Sequence, residues 1–282
     1  MTIFWDGFEK DLNSFEKYLK GYFDTHFDDG ELKKVVSYSL IDIAGKRIRP
    51  LLLIKTALSA QADYETAYKF GVAVECIHTY SLIHDDLPCM DNDTYRRGFL
   101  SAHAKYSEAL AILSGDSLLN FAYEVIFDND FYDDKVKKAA DIMSRFAGSK
   151  GMIKGQVLDM GLTNTSDIDN QKQIYQIHIN KTAALIRAAV NAGALLGNAE
   201  QSELKKLDDY ACNMGICFQI LDDISDFETE QDKLTYPKVF GLENSLNHAQ
   251  KYKQQAYDAL KGIEKKYFHL YQLLSKLSPN IF

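Results

Sequence analysis

The densest chemistry in this 282-residue chain lies in Asp85-Asp86-Leu87-Pro88-Cys89-Met90-Asp91, with Arg96-Arg97-Gly98 close behind. A second acidic set, Asp222-Asp223-Ile224-Ser225-Asp226, comes much later. Asp222 and Asp226 are four apart, so on a helix they share one face, a turn from each other. Like charges at that spacing repel, and a metal ion or a basic partner would offset the repulsion. Asp85 and Asp86 end a long apolar run, where the helix dipole already disfavours anions. Asp91 lies beyond Pro88, which should end that helix, and can fold back toward Asp85. Hard oxygen donors without cysteine or paired histidines favour Mg2+ over zinc. Magnesium keeps several waters and shares substrate phosphates, so few carboxylates per ion suffice. The pattern points to two carboxylate sets facing each other across a cavity, holding magnesium and clamping a diphosphate. Either set alone reads as a solvated helix end. Two sets, one leading into a pair of arginines, favour the site. A di-iron bundle would need two Glu-x-x-His elements, and only Glu75-Cys76-Ile77-His78 fits.

The bulk numbers agree with that chemistry. The formal net charge is −8, so a nucleic-acid partner gets no general electrostatic support. An anionic diphosphate would be repelled unless cations bridge it to the protein. Apolar residues make up 46% and charged residues 26%, ordinary for a globular protein with a sizeable core. The four cysteines, Cys76, Cys89, Cys212 and Cys217, show no zinc spacing and read as free thiols in a reducing cytoplasm. No basic segment followed by an apolar one opens the chain, so no signal peptide is expected. The run from Thr182 to Leu196 is interrupted by Arg187 and Asn191 and is too short to span a bilayer.

Helices must carry these groups, because apolar residues recur at helical spacing nearly throughout and no alternating strand pattern is present. Phe4, Phe8, Leu12, Phe15, Leu19, Tyr22 and Phe23 form one stripe. A second helix covers about Glu31 to Ala44 and stops at Gly45. The basic turn Gly45-Lys46-Arg47-Ile48-Arg49-Pro50 follows, and Pro50 suits the first turn of the next helix. A long helix runs from about Tyr64 to Asp86, and Leu87 to Gly98 is a loop. Helices are expected over Ser107–Phe127, Asp133–Ser149, Gln171–Leu196, Glu203–Phe227, Leu242–Ala259 and Ile263–Leu277, with a glycine-weakened one at Gly151–Asp159. The expected fold is one all-α domain over residues 1–282, a bundle of about ten helices with its polar site on facing helices.

These motifs resemble those of the trans-isoprenyl diphosphate synthases, most closely the bacterial farnesyl diphosphate synthases. The resemblance runs from about Gly45 to Leu242. It rests on Gly-Lys-Arg-x-Arg-Pro, on Asp85-Asp86-x4-Asp91 with Arg96-Arg97-Gly98, on Gly155-Gln156-x-x-Asp159, on Lys181-Thr182, and on Phe218-Gln219-x-x-Asp222-Asp223-x-x-Asp226. It implies a prenyl synthase-type helical bundle with a central active-site cavity, usually a homodimer, with several Mg2+ ions as cofactor. It implies that isopentenyl diphosphate is bound by Lys46, Arg49, His78 and Arg97, three cations and a hydrogen-bond donor. Magnesium would be ligated by Asp85, Asp91, Asp222 and Asp226, with Asp86 and Asp223 in support. Arg96, Lys181 and Lys233 would contact the allylic diphosphate, and Thr182 and Gln219 would place oxygen dipoles near the developing allylic cation. On their own, Lys46, Arg47 and Arg49 read as a solvated basic turn, His78 as a core histidine and Lys181 as a surface lysine.

The implied reaction is head-to-tail prenyl transfer onto dimethylallyl or geranyl diphosphate. Tyr80 lies five residues before Asp85, about 7.5 Å down a helix. An aromatic at Tyr80, with Ser81 beside it, resembles the chain-length floor of farnesyl synthases and implies a fifteen-carbon product. The alternatives are a geranylgeranyl diphosphate synthase and a non-catalytic partner subunit. A terpene cyclase would share the first motif, but Asp222-Asp223-Ile224-Ser225-Asp226 departs from its second. Two stretches differ from the family pattern. Only Phe227 to Asp232 separate Asp226 from Lys233-Leu234-Thr235-Tyr236-Pro237, and Leu277 to Phe282 carries no basic tail.

Overall fold

The computed structural model describes residues 8–128, 133–162, 169–228 and 234–277. The chain divides into two compact units, one of residues 1–54 and 64–132, the other of residues 55–63 and 133–282.

In the first unit, helix α1 (Glu9–His26) buries Phe15, Leu19 and Phe23, the four-residue spacing that puts one apolar face on a core. Helix α2 (Glu31–Ser37) runs into a π-helical turn, Tyr38–Asp42. Helix α3 (Ile48–Ser59) follows the basic turn. Helix α4 (Tyr64–Asp85) is the axis of the unit. From Phe70 to Ile77 every residue is buried, so this helix is apolar all round rather than striped. A Cβ on Gly71 would stand 2.7 Å from Ile54 Cδ1, so the hydrogen at that position lets Ile54 pack directly on α4. A short hairpin of β1 (Tyr95–Arg96) and β2 (Phe99–Leu100) pairs Tyr95 with Leu100. Helix α5 (Ala102–Lys105) leads to α6 (Glu108–Phe127), which packs along α4. Ser107 caps α6, its Oγ accepting from the Leu110 amide at 3.2 Å.

In the second unit, α7 (Asp134–Ala147) starts at Asp133, whose Oδ1 accepts from the Lys135 and Val136 amides at 2.9 and 3.0 Å. Helices α8 (Met152–Asp159) and α9 (Asn170–Ile177) lead to a second π-helical turn, His178–Ala183, and then to α10 (Ala184–Leu196). The central helix is α11 (Gln201–Ser225), packed on α10, on the π turn and on α13. Helices α12 (Tyr236–Phe240), α13 (Leu242–Ala259) and α14 (Phe268–Ser275) complete the described elements. A capping box between Glu200 and Glu203 opens α11, and Glu203 also accepts from Lys266 at 2.7 Å.

The structure is all-α as expected, with three local differences. The expected helix over Glu31–Ala44 and that over Gln171–Leu196 each change to π winding part-way, a local insertion that often marks a functional segment. With other breaks this gives fourteen α-helical segments among the described residues, against about ten expected. The last expected helix begins at Phe268 rather than Ile263, because Gly262 takes φ +85° and turns the chain first. The two-residue strands are too short to carry an alternating pattern in the sequence. Helix α6 alone among the described helices is long and apolar enough to cross a bilayer by length and composition. A core helix packed on α4 meets the same description.

Candidate functional site

The first acidic set is shaped by the end of α4. Past Asp85 the loop folds back on the helix. The Asp91 amide donates to the Asp85 carbonyl at 2.9 Å, Asn92 to Leu87 at 3.0 Å and Asp93 to Asp86 at 3.1 Å. These bonds satisfy carbonyls that every helix C-terminus leaves open. They bring Asp91 against Asp85, as the proline-broken sequence leads one to expect. Asn92 accepts the left-handed φ of +55° that the reversal needs, a conformation asparagine tolerates better than most residues.

Asp86 points elsewhere. It is 3% exposed and accepts from both Arg96 Nε, at 2.9 Å, and Arg96 Nη2. Burial pushes its pKa up and the Arg96 guanidinium only partly opposes this. Arg96 also reaches Asp93 at 3.2 Å. Asp86 thus orients Arg96 through its Oδ1, which takes both of these bonds.

The hairpin turn aims Arg97. Arg97 and Gly98 both have positive φ, +55° and +81°, the two-residue turn that matches strand twist. Arg97 Nη1 donates to the Ile43 carbonyl at 2.8 Å. Its guanidinium covers Gly45, where a Cβ would lie 2.3 Å from Nη2, so a side chain there would displace the Arg97 guanidinium. Across the same turn, Arg49 Nη1 lies 3.2 Å from His78 Nε2. Burial first, then Arg49 and Arg97, hold the His78 imidazole well below its ordinary pKa. The ring is therefore neutral, and because a guanidinium has no acceptor, His78 Nε2 accepts from Arg49. The group expected as a donor serves as an acceptor in this state. Arg47, read from sequence as part of a solvated turn, is buried instead, at 2% exposure.

Lower on α4, Tyr80 is 6% exposed and meets the His84 ring edge-on at 5.8 Å. Burial raises its phenol to about 12, so it stays neutral. Ser81 Oγ donates to the His78 carbonyl at 2.9 Å.

In the second unit the π turn and the end of α11 form one network. Thr182 Oγ1 donates to Gln219 Oε1 at 2.5 Å. Gln219 Nε2 donates to Asp223 Oδ1 at 2.9 Å and reaches Asp222 Oδ2 at 3.3 Å. Asp223 also accepts from the Tyr236 amide at 2.7 Å and lies 3.0 Å from His178 Nε2. Burial alone would raise the Asp223 pKa, but His178, Gln219 and that amide outweigh it and hold the carboxyl below its usual range. Asp226 caps α11, its amide donating to the Asp222 carbonyl at 3.0 Å, so the two carboxylates do sit one turn apart. Lys181 Nζ donates to Asp159 Oδ2 at 2.5 Å. The π turn passes so close to α8 that a Cβ on Gly155 would lie 2.1 Å from the Lys181 amide nitrogen. His178, Asp159 and Glu75 were not singled out as partners by sequence reasoning. His178 precedes Thr182 by four residues, the only hint available. Lys233 lies outside the described residues.

Among the described residues no three carboxylate, imidazole or thiol groups converge to hold an ion by themselves. The donors present suit Mg2+, which takes one or two carboxylates and completes its shell with water and phosphate oxygens. Asp85 and Asp91, tied by their backbones in the first unit, and Asp222 and Asp226, one turn apart in the second, are each oxygen donors of that kind.

The polyprenyl synthetase family model matches residues 30–241. A farnesyl diphosphate synthase of Micrococcus luteus is 39% identical over 253 residues, covering 85% of this chain and 86% of that protein. A chloroplastic geranylgeranyl pyrophosphate synthase of Arabidopsis thaliana is 37% identical over 249 residues, covering 83% and 72%. The solved geranyltransferase of Helicobacter pylori, complexed with magnesium and isoprenyl diphosphate, superposes with a TM-score of 0.80 at 30% identity, covering 98% of this chain and 95% of that one. The match in sequence and in fold extends over every motif described above, and the chain belongs to the polyprenyl synthetase family.

Proposed function

We propose that this protein is a prenyltransferase that condenses isopentenyl diphosphate head to tail with dimethylallyl and then geranyl diphosphate, giving farnesyl diphosphate. Family membership supports the reaction class. The observation that carries the reading is the loop fold-back that sets Asp91 against Asp85 immediately before the Arg96-Arg97 hairpin.

Magnesium, held by Asp85, Asp91, Asp222 and Asp226, would supply Lewis-acid stabilisation of the departing diphosphate. Arg96, oriented by Asp86, and Lys181, oriented by Asp159, add fixed positive charge to that leaving group, preorganised before the bond breaks. Lys233 belongs to the same proposal. The allylic carbon–oxygen bond ionises, and its electron pair leaves with the diphosphate. Thr182 and Gln219, locked to each other, present oxygens to the allylic cation. Lys46, Arg49, His78 and Arg97 hold the diphosphate of isopentenyl diphosphate without metal, so its double bond is aimed at the cation. The new carbon–carbon bond forms, and a proton passes to the released diphosphate. Exclusion of water keeps the cation from hydrolysis. Tyr80 and Ser81 would set the fifteen-carbon limit.

We further propose a single synthase domain over residues 1–282, working in the cytoplasm as a homodimer. The four cysteines are free thiols, and Ile112, Leu113 and Phe127 of α6 are exposed, apolar surface that a second copy would cover. The test is to supply labelled isopentenyl diphosphate with dimethylallyl, geranyl or farnesyl diphosphate in turn and to size the dephosphorylated prenols. A fifteen-carbon product from the first two acceptors supports the proposal, and a twenty-carbon product from all three overturns the chain length.

A further inference from the structure

We infer that Glu75 and Arg47 form a buried positioning pair that sets the affinity for isopentenyl diphosphate without touching it. The inference rests on the functional reading above and adds a device to it. Arg47 lies between Lys46 and Arg49, yet its side chain is 1% exposed and turned into the unit. Nε donates to Glu16 Oε1 at 2.7 Å, Nη1 to Glu75 Oε1 at 2.7 Å and Nη2 to the Leu40 carbonyl at 2.5 Å. All three guanidinium nitrogens are thus engaged by protein acceptors. The backbone of Arg47 has φ +54°, the left-handed region that a residue with a Cβ adopts only when its surroundings over-determine it. The three side-chain bonds supply that constraint.

Glu75 ties this turn to the helix that matters. It is 2% exposed and precedes His78 by three residues on α4, so both project from one face. On the other flank, the Arg97 guanidinium rests on Gly45. Lys46 is therefore bracketed by Gly45 under Arg97 and by Arg47 in the grip of Glu75, while Arg49 meets His78 at 3.2 Å. Glu75 is also a buried countercharge to these guanidiniums, bonded directly to Arg47. Burial, with Arg47 and Arg96 adding to it, lowers the Arg97 pKa, and Glu75 is the largest influence opposing that fall. With the pair intact, the turn is ordered before the diphosphate arrives and binding costs little rearrangement. With it broken, ordering must accompany binding. That cost falls on ground state and transition state alike, which raises KM and spares kcat.

The test uses Glu75→Gln and the double variant Arg47→Gly with Glu75→Gln. Glycine satisfies the positive φ, so the double variant removes the anchor without leaving backbone strain or a buried unpaired charge. Isopentenyl diphosphate is titrated calorimetrically in EDTA, and steady-state elongation is measured with magnesium. We expect both variants to bind isopentenyl diphosphate about tenfold more weakly, with its KM rising equally and with kcat and the KM for geranyl diphosphate unchanged. Glu16→Gln, at a partner 33% exposed, should give a smaller rise in the same KM and serves if the buried changes prevent folding. Unchanged affinity in folded variants, or equal loss toward both substrates, overturns the positioning role while the synthase reading stands. A wild-type protein that neither binds isopentenyl diphosphate nor elongates overturns both.

Discussion

The amide of Asp91 donates to the carbonyl of Asp85 at 2.9 Å, although a proline and four other residues separate them. This bond returns the loop to the helix end and sets the two backbones side by side. Asp85 and Asp91 meet through their backbones, whereas the Asp86 side chain faces Arg96.

The same division holds on α11, and variants should expose it. Asp223 is buried and bonded to His178, Gln219 and the Tyr236 amide. Asp223→Ala should cost about 3 kcal/mol of stability in urea unfolding, because it strands buried partners. Asp222→Ala should change stability little and abolish turnover. Similar stability losses in both would contradict the division.

Gly155→Ala places a methyl 2.1 Å from the Lys181 amide nitrogen. Neither backbone can yield cheaply, so the π turn must shift. A stability loss of about 1–3 kcal/mol is expected, with a fall in kcat as Lys181 and Thr182 move together. An unaltered kcat would show that the turn has no part in catalysis.

Tyr80→Ala opens space beneath the first acidic pair and should lengthen the products. It should also cost about 3 kcal/mol from the cavity. Sizing the prenols checks this, and an unchanged profile would remove Tyr80 as the floor.

Acid should destabilise the fold through buried histidines. His269 is 7% exposed, and burial, with Lys55 nearby, lowers its pKa to about 3. The unfolded chain, with imidazole near 6.5, binds the proton that the folded chain refuses. Stability from this group is therefore complete above about pH 6.5 and is lost as pH falls toward 3, by up to about 1.4 kcal/mol per unit. His78, lowered in the same direction, adds to the slope. Urea unfolding of His269→Gln between pH 7 and 5 should show a shallower decline than the wild type.

Much of this was legible in the sequence. The 3.6-residue period gave the helices, and Pro88 marked where α4 had to stop and where Asp91 could return. The one-turn spacing of Asp222 and Asp226 followed from number alone. What the sequence hid were choices among chemically similar neighbours. Nothing in Lys46-Arg47-Ile48-Arg49 says which cation turns inward, since that depends on Glu75, 28 residues from Arg47. Likewise the pairing of His178 with Asp223 spans 45 residues. The π turns were invisible because a single added residue leaves the apolar period nearly intact.

The measurement closest to the central claim is elongation of geranyl diphosphate by labelled isopentenyl diphosphate, with magnesium, with EDTA, and with Asp85→Ala. Fifteen-carbon product should form with magnesium, vanish in EDTA and return when magnesium is restored. Asp85→Ala, still folded by its thermal transition, should fall by about 100-fold or more in kcat. Undiminished product in EDTA, or full activity of Asp85→Ala, would contradict the account.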